Sequence, residues 1–281
     1  MPPSENEKIT IRTLQARKRQ GGRISAVTSY DYHTTRAVSE AGIDLILVGD
    51  SMGMVLHGRE NTLKVSIDDI IYHTRLVARA EPRSLVVADM PYGSYHVSCE
   101  QAVRNALRLI KEGGAEAVKV EGGRSRFGVV DALLRAEIPV LGHLGLTPQS
   151  VHSLGGFRVQ GKMRDKAREI MDDARELEAR GVFALVLESI PMELGKAVTQ
   201  TLTIPTIGIG AGPNCDGQIL VFHDLMGFTR LYMPKFVRQY ADLYGMIQTA
   251  LRAYIHDIRE GRFPDDRESY HLKGDIDEWL K

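Results

Sequence analysis

Four apolar runs in the sequence each end in an acid: ILVGD at Asp50, LVVAD at Asp89, AVKVE at Glu121 and ALVLE at Glu188. Short runs of Val, Leu and Ala are what a parallel strand looks like when both of its faces are buried. A carboxylate inside such a strand is costly to bury. At the C-terminal tip it can face the mouth of an α/β sheet or barrel, where the active sites of such folds lie. One polar strand end means little. Four in one chain point to a shared acidic site, and clustered carboxylates suit a divalent cation.

Parity divides these acids further. Successive side chains on a strand point to opposite faces, so Lys119 and Glu121 share one face while Val118 and Val120 take the other. A cation and an anion then stand side by side on an inner wall. A buried Lys–Glu pair that only supports packing is the plain alternative. Asp50, Asp89 and Glu121 end three consecutive strands, and three hard oxygen ligands suit Mg²⁺ better than zinc. Asp50 or Asp89 alone would equally be explained as the cap of a following turn. Glu188 lies on a strand across the barrel from the first two acids. Partly desolvated and apart from the metal ligands, it suits a general base, with a salt bridge to Arg158 or Lys162 as the alternative. His143 shares inward parity with Leu141 and Gly145 and is placed to hydrogen-bond a substrate or move a proton. GIGAG (208–212) lacks the third glycine of a dinucleotide fingerprint, so close approach of backbones is its favoured reading.

The elements that must position these residues alternate strand and helix. Strands are expected at 24–31, 46–50, 85–89, 117–121, 139–145, 184–188, 206–212 and 218–224. Helices are expected near 33–41, over Asp68–Ala80 behind an N-cap at Ser66, over Ser98–Gly113, at 125–136 and 164–180, and over PMELGKAVTQTL. Eight strands joined by helices in 281 residues predict a (β/α)8 TIM barrel as one domain over 1–281. A polar lead-in (1–22) carries Ile9, Ile11 and Leu14, which place a short helix there before the Gly21-Gly22 break. Amphipathic helices over 235–260 are expected to pack outside the barrel or against another subunit. The loop LTPQSVHSLGGFRVQGK is long and polar, a functional signal in a compact domain.

Composition narrows the class. Lys+Arg and Asp+Glu both number 36, which offers no footprint for nucleic acid and no polybasic run for a membrane surface. Two cysteines, Cys99 and Cys215, fit a reducing cytoplasm and no disulfide framework. No apolar window approaches the roughly 20 residues of a membrane span.

The blocks VTSYDY (27–32), LVGDSMGM (47–54), VVADMPYGSY (86–95), VKVEGG (118–123), GHLGLTPQSV (142–151), GGFRVQGK (155–162), LVLESIP (185–191) and IGIGAGPNCDGQILVFHDLMGF (207–228) resemble the ketopantoate hydroxymethyltransferase family. The resemblance runs in order through about residues 8–265 and departs in the lead-in, the 124–136 helix and the tail. It implies a Mg²⁺-dependent barrel of the phosphoenolpyruvate/pyruvate superfamily, assembled as a homodecamer, a pentamer of dimers. The implied reaction moves a hydroxymethyl group from 5,10-methylenetetrahydrofolate to 3-methyl-2-oxobutanoate, the first step of pantothenate synthesis. Carried over by position, Asp50, Asp89 and Glu121 would surround the metal. Asp50, Ser51, Asp89, Lys119 and His143 would meet the keto acid, and Glu188 would accept the proton. Two other readings are a Mg²⁺-dependent 2-oxo acid lyase or mutase of the isocitrate lyase type, whose KKCGH-type loop does not occur here, and a non-catalytic scaffold.

Overall fold

The computed structural model describes residues 7–230 and 233–281. Eight strands, all parallel, close into a barrel in chain order. They are β1 Ile24–Thr28, β2 Leu45–Val48, β3 Leu85–Asp89, β4 Ala117–Glu121, β5 Val140–Gly145, β6 Ala184–Glu188, β7 Thr206–Ile209 and β8 Gly217–Leu220. The helices are α1 Ile11–Arg19, α2 Tyr32–Glu40, α3 Met52–Val55, α4 Ile67–Arg79, α5 Cys99–Arg108, α6 Phe127–Arg135, α7 Val151–Leu154, α8 Arg164–Arg180, α9 Met192–Thr201, α10 Phe222–Leu225, α11 Leu243–Arg259 and α12 Ile276–Trp279.

Local chemistry sets several boundaries. Ser66 caps α4 in a reciprocal box with Asp69, satisfying two otherwise orphaned helix N–H groups. Asp31 caps α2, which stops before Gly42 at φ 87. The helix expected over Ser98–Gly113 is α-helical only to Arg108. A π turn, Leu109–Gly113, completes it and Gly114 closes it in the left-handed region.

Parity produces two apolar layers. Inward residues such as Leu45, Val87, Ala117, Leu141, Val186 and Ile207 fill the barrel, while Val118, Val120 and Leu185 pack outward beneath the helices. The lead-in is less polar in its role than its composition suggests. Ile9 and Leu14 are fully buried and join the inner layer, so α1 stoppers the N-terminal end of the barrel. Arg17 pairs with Asp44 just ahead of β2, and Lys18 with Asp216 just ahead of β8, fixing α1 across the opening.

Three expectations shift at the C-terminal side. The seventh strand ends at Ile209, because Gly210 and Gly212 take positive φ. A Cβ at Gly210 would strike the Phe236 ring, so these glycines serve close packing, as the bland reading of GIGAG held. The eighth strand ends at Leu220 and FHD falls in α10, since a short apolar run does not distinguish a strand from a buried turn. The helix expected over 235–260 is α11 alone, and none of its residues is buried. No described helix is long and apolar enough to cross a membrane.

Candidate active site

The acids meet at the C-terminal mouth. Cross-strand register puts Asp89 beside Lys119, Glu121 beside His143, and Glu188 beside Gly145. All of these side chains continue the inward parity of the barrel filling below them. Lys119 Nζ lies 2.7 Å from Asp89 Oδ1 and 3.2 Å from Glu121 Oε1. Asp50 sits two residues beyond β2 in a tight turn, and its backbone N–H donates to Asp89 Oδ2 at 3.2 Å. Neither Asp50 nor Asp89 caps the turn that follows it, because α3 begins without a side-chain cap and Asp89 is engaged by Lys119 and the Asp50 amide.

One carboxylate oxygen from each of Asp50, Asp89 and Glu121 lies within 4.8 Å of the others, and all three residues are buried. Burial and the neighbouring Asp89 and Glu121 push Asp50 well above the usual carboxylate range. Burial also raises Asp89, against the pull of Lys119. Glu121 goes the other way: burial would raise it, but Lys119 and His143 hold it below its ordinary value.

His143 stands between Glu121 and Glu188. Its Nδ1 is 3.4 Å from Glu121 Oε1 and its Nε2 3.2 Å from Glu188 Oε2. Neither contact has hydrogen-bond alignment, so both are ion-pair contacts. Burial by itself would lower the imidazole pKa, but the two flanking carboxylates raise it to about 9. Glu188 therefore lies across the mouth from β2 yet only one imidazole ring away from Glu121. Its alternative partners Arg158 and Lys162 form no salt bridge with it among the described residues. Two backbone features aim it. Gly145 takes φ 95, and a Cβ there would overlap the Glu188 carbonyl, which accepts the Leu146 N–H at 2.8 Å. Ser189, next in the chain, is held at φ 47, a conformation unusual for a non-glycine residue.

Two neighbours have no counterpart in the sequence reading. Gln149, from the long loop after β5, is 4% exposed. Its Nε2 donates to Asp50 Oδ2 and to the Met90 carbonyl, both at 2.9 Å, and its backbone N–H donates to Glu121 Oε2 at 3.1 Å. Its Oε1 accepts the Tyr95 hydroxyl at 2.7 Å. The unusual loop length was the only signal for it. On the other side, the Ser51 hydroxyl lies 2.8 Å from the hydroxyl of buried Tyr30.

The donor set fits a hard divalent cation. Once a cation displaces the Asp50 proton, the four carboxylates (Asp50, Asp89, Glu121 and Glu188) exceed Lys119 and a protonated His143 by two negative charges, which a divalent ion balances. All-oxygen ligands of this kind suit Mg²⁺ or a similar ion. A (β/α)8 barrel with a buried carboxylate cluster, a lysine and a base-like glutamate at its C-terminal mouth is built as an enzyme.

Comparison with known proteins makes that class particular. The family model for ketopantoate hydroxymethyltransferase matches residues 8–266, and the chain belongs to this family. A Thermoanaerobacter sp. (strain X514) protein named 3-methyl-2-oxobutanoate hydroxymethyltransferase is 54% identical over 267 residues, covering 95% of this chain and 97% of its own. A protein of the same name from Geobacter metallireducens is 51% identical, covering 94% and 99%. Among solved structures, 2,3-dimethylmalate lyase, a PEP mutase/isocitrate lyase superfamily member, superposes with a TM-score of 0.57 at 17% identity, covering 92% of this chain and 91% of its own. Phosphonopyruvate hydrolase in complex with oxalate and Mg²⁺ superposes with a TM-score of 0.60 at 13% identity, covering 94% and 92%. These two likenesses show a shared (β/α)8 barrel fold.

Proposed function

We propose that the chain transfers a hydroxymethyl group from 5,10-methylenetetrahydrofolate to 3-methyl-2-oxobutanoate, giving 2-dehydropantoate in the first step of pantothenate synthesis. The proposal extends to Mg²⁺ as the metal and to a cytoplasmic homodecamer, as the family resemblance implies. The observation that carries it is the buried trio Asp50, Asp89 and Glu121 with Lys119 against it and Glu188 one imidazole away.

Asp50, Asp89 and Glu121 would hold the Mg²⁺ ion, which would supply Lewis acidity to a bound 2-oxo acid. Lys119 and the Ser51 hydroxyl bind the substrate carboxylate, where a cation and a donor are useful. Glu188 removes the proton from C3, and His143 orients its carboxylate. Water adds to the methylene carbon and its two C–N bonds break, N5 and N10 of the leaving tetrahydrofolate taking the two protons. The C3 carbanion equivalent then adds to the resulting formaldehyde-level carbon, and the new alkoxide takes the proton held by Glu188 to become the hydroxymethyl group. Tyr95 and Gln149 close the β3–β5 side of the mouth and keep bulk water from the reacting carbon.

A coupled assay for folate-dependent 2-dehydropantoate formation, run with and without EDTA, tests this reading. Product that depends on both folate and metal supports it. Turnover of the 2-oxo acid without folate would favour a lyase or mutase instead.

A further inference from the structure

The site on β2–β6 accounts for the keto acid but leaves the one-carbon donor without a seat. The β3–β5 side of the mouth is filled by buried Tyr95 and Gln149. The β8–β1 side is built differently. After β8 the chain turns through α10, and the Phe222 N–H donates to Thr28 Oγ1 at 3.0 Å, pinning this turn over the tip of β1. A row of rings starts from Tyr30, whose hydroxyl meets Ser51. The ring centroid of His223 is 5.8 Å from that of Tyr30, and Phe228 stacks on His223 at 5.5 Å with planes 29° apart. Tyr244 follows at 6.5 Å from Phe228, and the Arg230 guanidinium lies 4.8 Å over the Tyr244 ring.

Three properties of this row point to a ligand. Its outer rings are open, with Phe228 38% and Tyr244 37% exposed. The half-buried carboxylate of Asp224 stands in the same turn, and His223 Nδ1 is a buried polar atom with no partner among the described residues. The row also ends on a cation. Arg230 pairs with Asp242 through one nitrogen, and a guanidinium has five N–H donors.

A reduced folate has the matching order of parts: a flat pteridine whose 2-amino and N3–H groups form a donor–donor edge, then a flat aminobenzoyl ring, then an anionic glutamate. A carboxylate accepts both hydrogens of such an edge, aromatic faces stack on the rings, and a guanidinium takes a carboxylate. We propose that the folate donor binds along the β8–β1 side of the mouth, with its pteridine edge on Asp224, its aryl ring on Phe228 and Tyr244, and its glutamate at Arg230. The pteridine end then lies toward Tyr30 and Ser51, on the side from which the methylene carbon must approach the keto acid. The inference rests on the function proposed above and assigns the donor's place within it.

The test varies each substrate separately in Phe228→Ala and Asp224→Asn, and measures the affinity of tetrahydrofolate, the leaving product, by calorimetry. Loss of one ring-stacking contact is expected to raise the KM for methylenetetrahydrofolate and the Kd for tetrahydrofolate on the order of tenfold. The KM for 3-methyl-2-oxobutanoate should move less than twofold. Unchanged folate affinity in both variants overturns the assignment, as does an equal loss for both substrates. A fall in oligomer size on gel filtration of Phe228→Ala, with folate affinity intact, would show that the row is covered by a second copy of the chain instead. Failure of the wild-type protein to bind tetrahydrofolate or use the folate donor would sink the underlying function, whatever the variants do.

Discussion

Gln149 Nε2 donates to Asp50 Oδ2 at 2.9 Å, which ties the loop after β5 to the turn after β2 across the mouth of the barrel. The same residue holds Glu121 through its backbone N–H and Tyr95 through its amide oxygen. One loop residue thus positions two of the three clustered carboxylates without belonging to the cluster.

Replacement of Gln149 by Leu keeps the volume but leaves Asp50, Tyr95 and the Met90 carbonyl short of a partner. Outer partners of metal ligands typically contribute about 10- to 100-fold in metal affinity. Calorimetric titration with MgCl₂ is expected to show a loss in that range. The orphaned groups should also lower stability by roughly 1–3 kcal/mol in urea unfolding. Wild-type Mg²⁺ affinity in the variant would show that Gln149 only fastens the loop.

Glu188→Gln keeps shape and polarity but removes the carboxylate proposed to accept the C3 proton. Deuterium exchange at C3 of 3-methyl-2-oxobutanoate, followed by NMR, should fall to background with or without folate. Exchange at the wild-type rate would transfer the base role to His143 or to water.

Metal binding should release a proton. Asp50 is pushed well above the ordinary carboxylate range by burial and by Asp89 and Glu121. In the metal-free protein it therefore holds its proton to higher pH than an ordinary carboxylate does, and an incoming cation displaces that proton. Titrations at neutral pH in two buffers of different ionisation enthalpy should give different apparent enthalpies, and Asp50→Asn should abolish the difference. Identical enthalpies for the wild type would mean that all three acids are already ionised.

His143 predicts a pH dependence for the metal-free fold. Its folded value is raised to about 9 from 6.5 by Glu121 and Glu188, against burial. A raised value means the folded state holds the proton more tightly than the unfolded one. The stabilisation is therefore complete below about 6.5 and disappears as pH rises through about 9. At about 1.4 kcal/mol per unit, it amounts to a few kcal/mol. In EDTA, the Tm gap between wild type and His143→Gln should be wide at pH 6 and narrow at pH 9.5. A gap that widens with pH would contradict the charged imidazole.

Much of the site is legible in the sequence because a carboxylate closing a buried apolar run is chemically conspicuous. Strand parity then placed Lys119, Glu121 and His143 on one wall, where the barrel has them. Gln149 was not readable in this way. Its position depends on how a loop without periodicity folds over the mouth, and nothing in the run TPQS distinguishes it. The bridge from Glu121 to Glu188 through His143 was also hidden, because strand order alone puts β6 far from β2 and says nothing of a side chain spanning the gap. Ile9, Ile11 and Leu14 mark the short helix that the structure has as α1, but not where it docks, because only the open end of a closed barrel gives Ile9 and Leu14 a place to go.

That stopper has a consequence for how the molecule is made. The α1 segment leaves the ribosome before any strand it will touch, and its anchor Asp216 lies immediately ahead of the last strand to appear. Ile9 and Leu14 must therefore wait, uncovered, until nearly the whole barrel has been synthesised. A segment that precedes every strand of the barrel is thus among the last that can be seated, and its docking marks the completion of the ring.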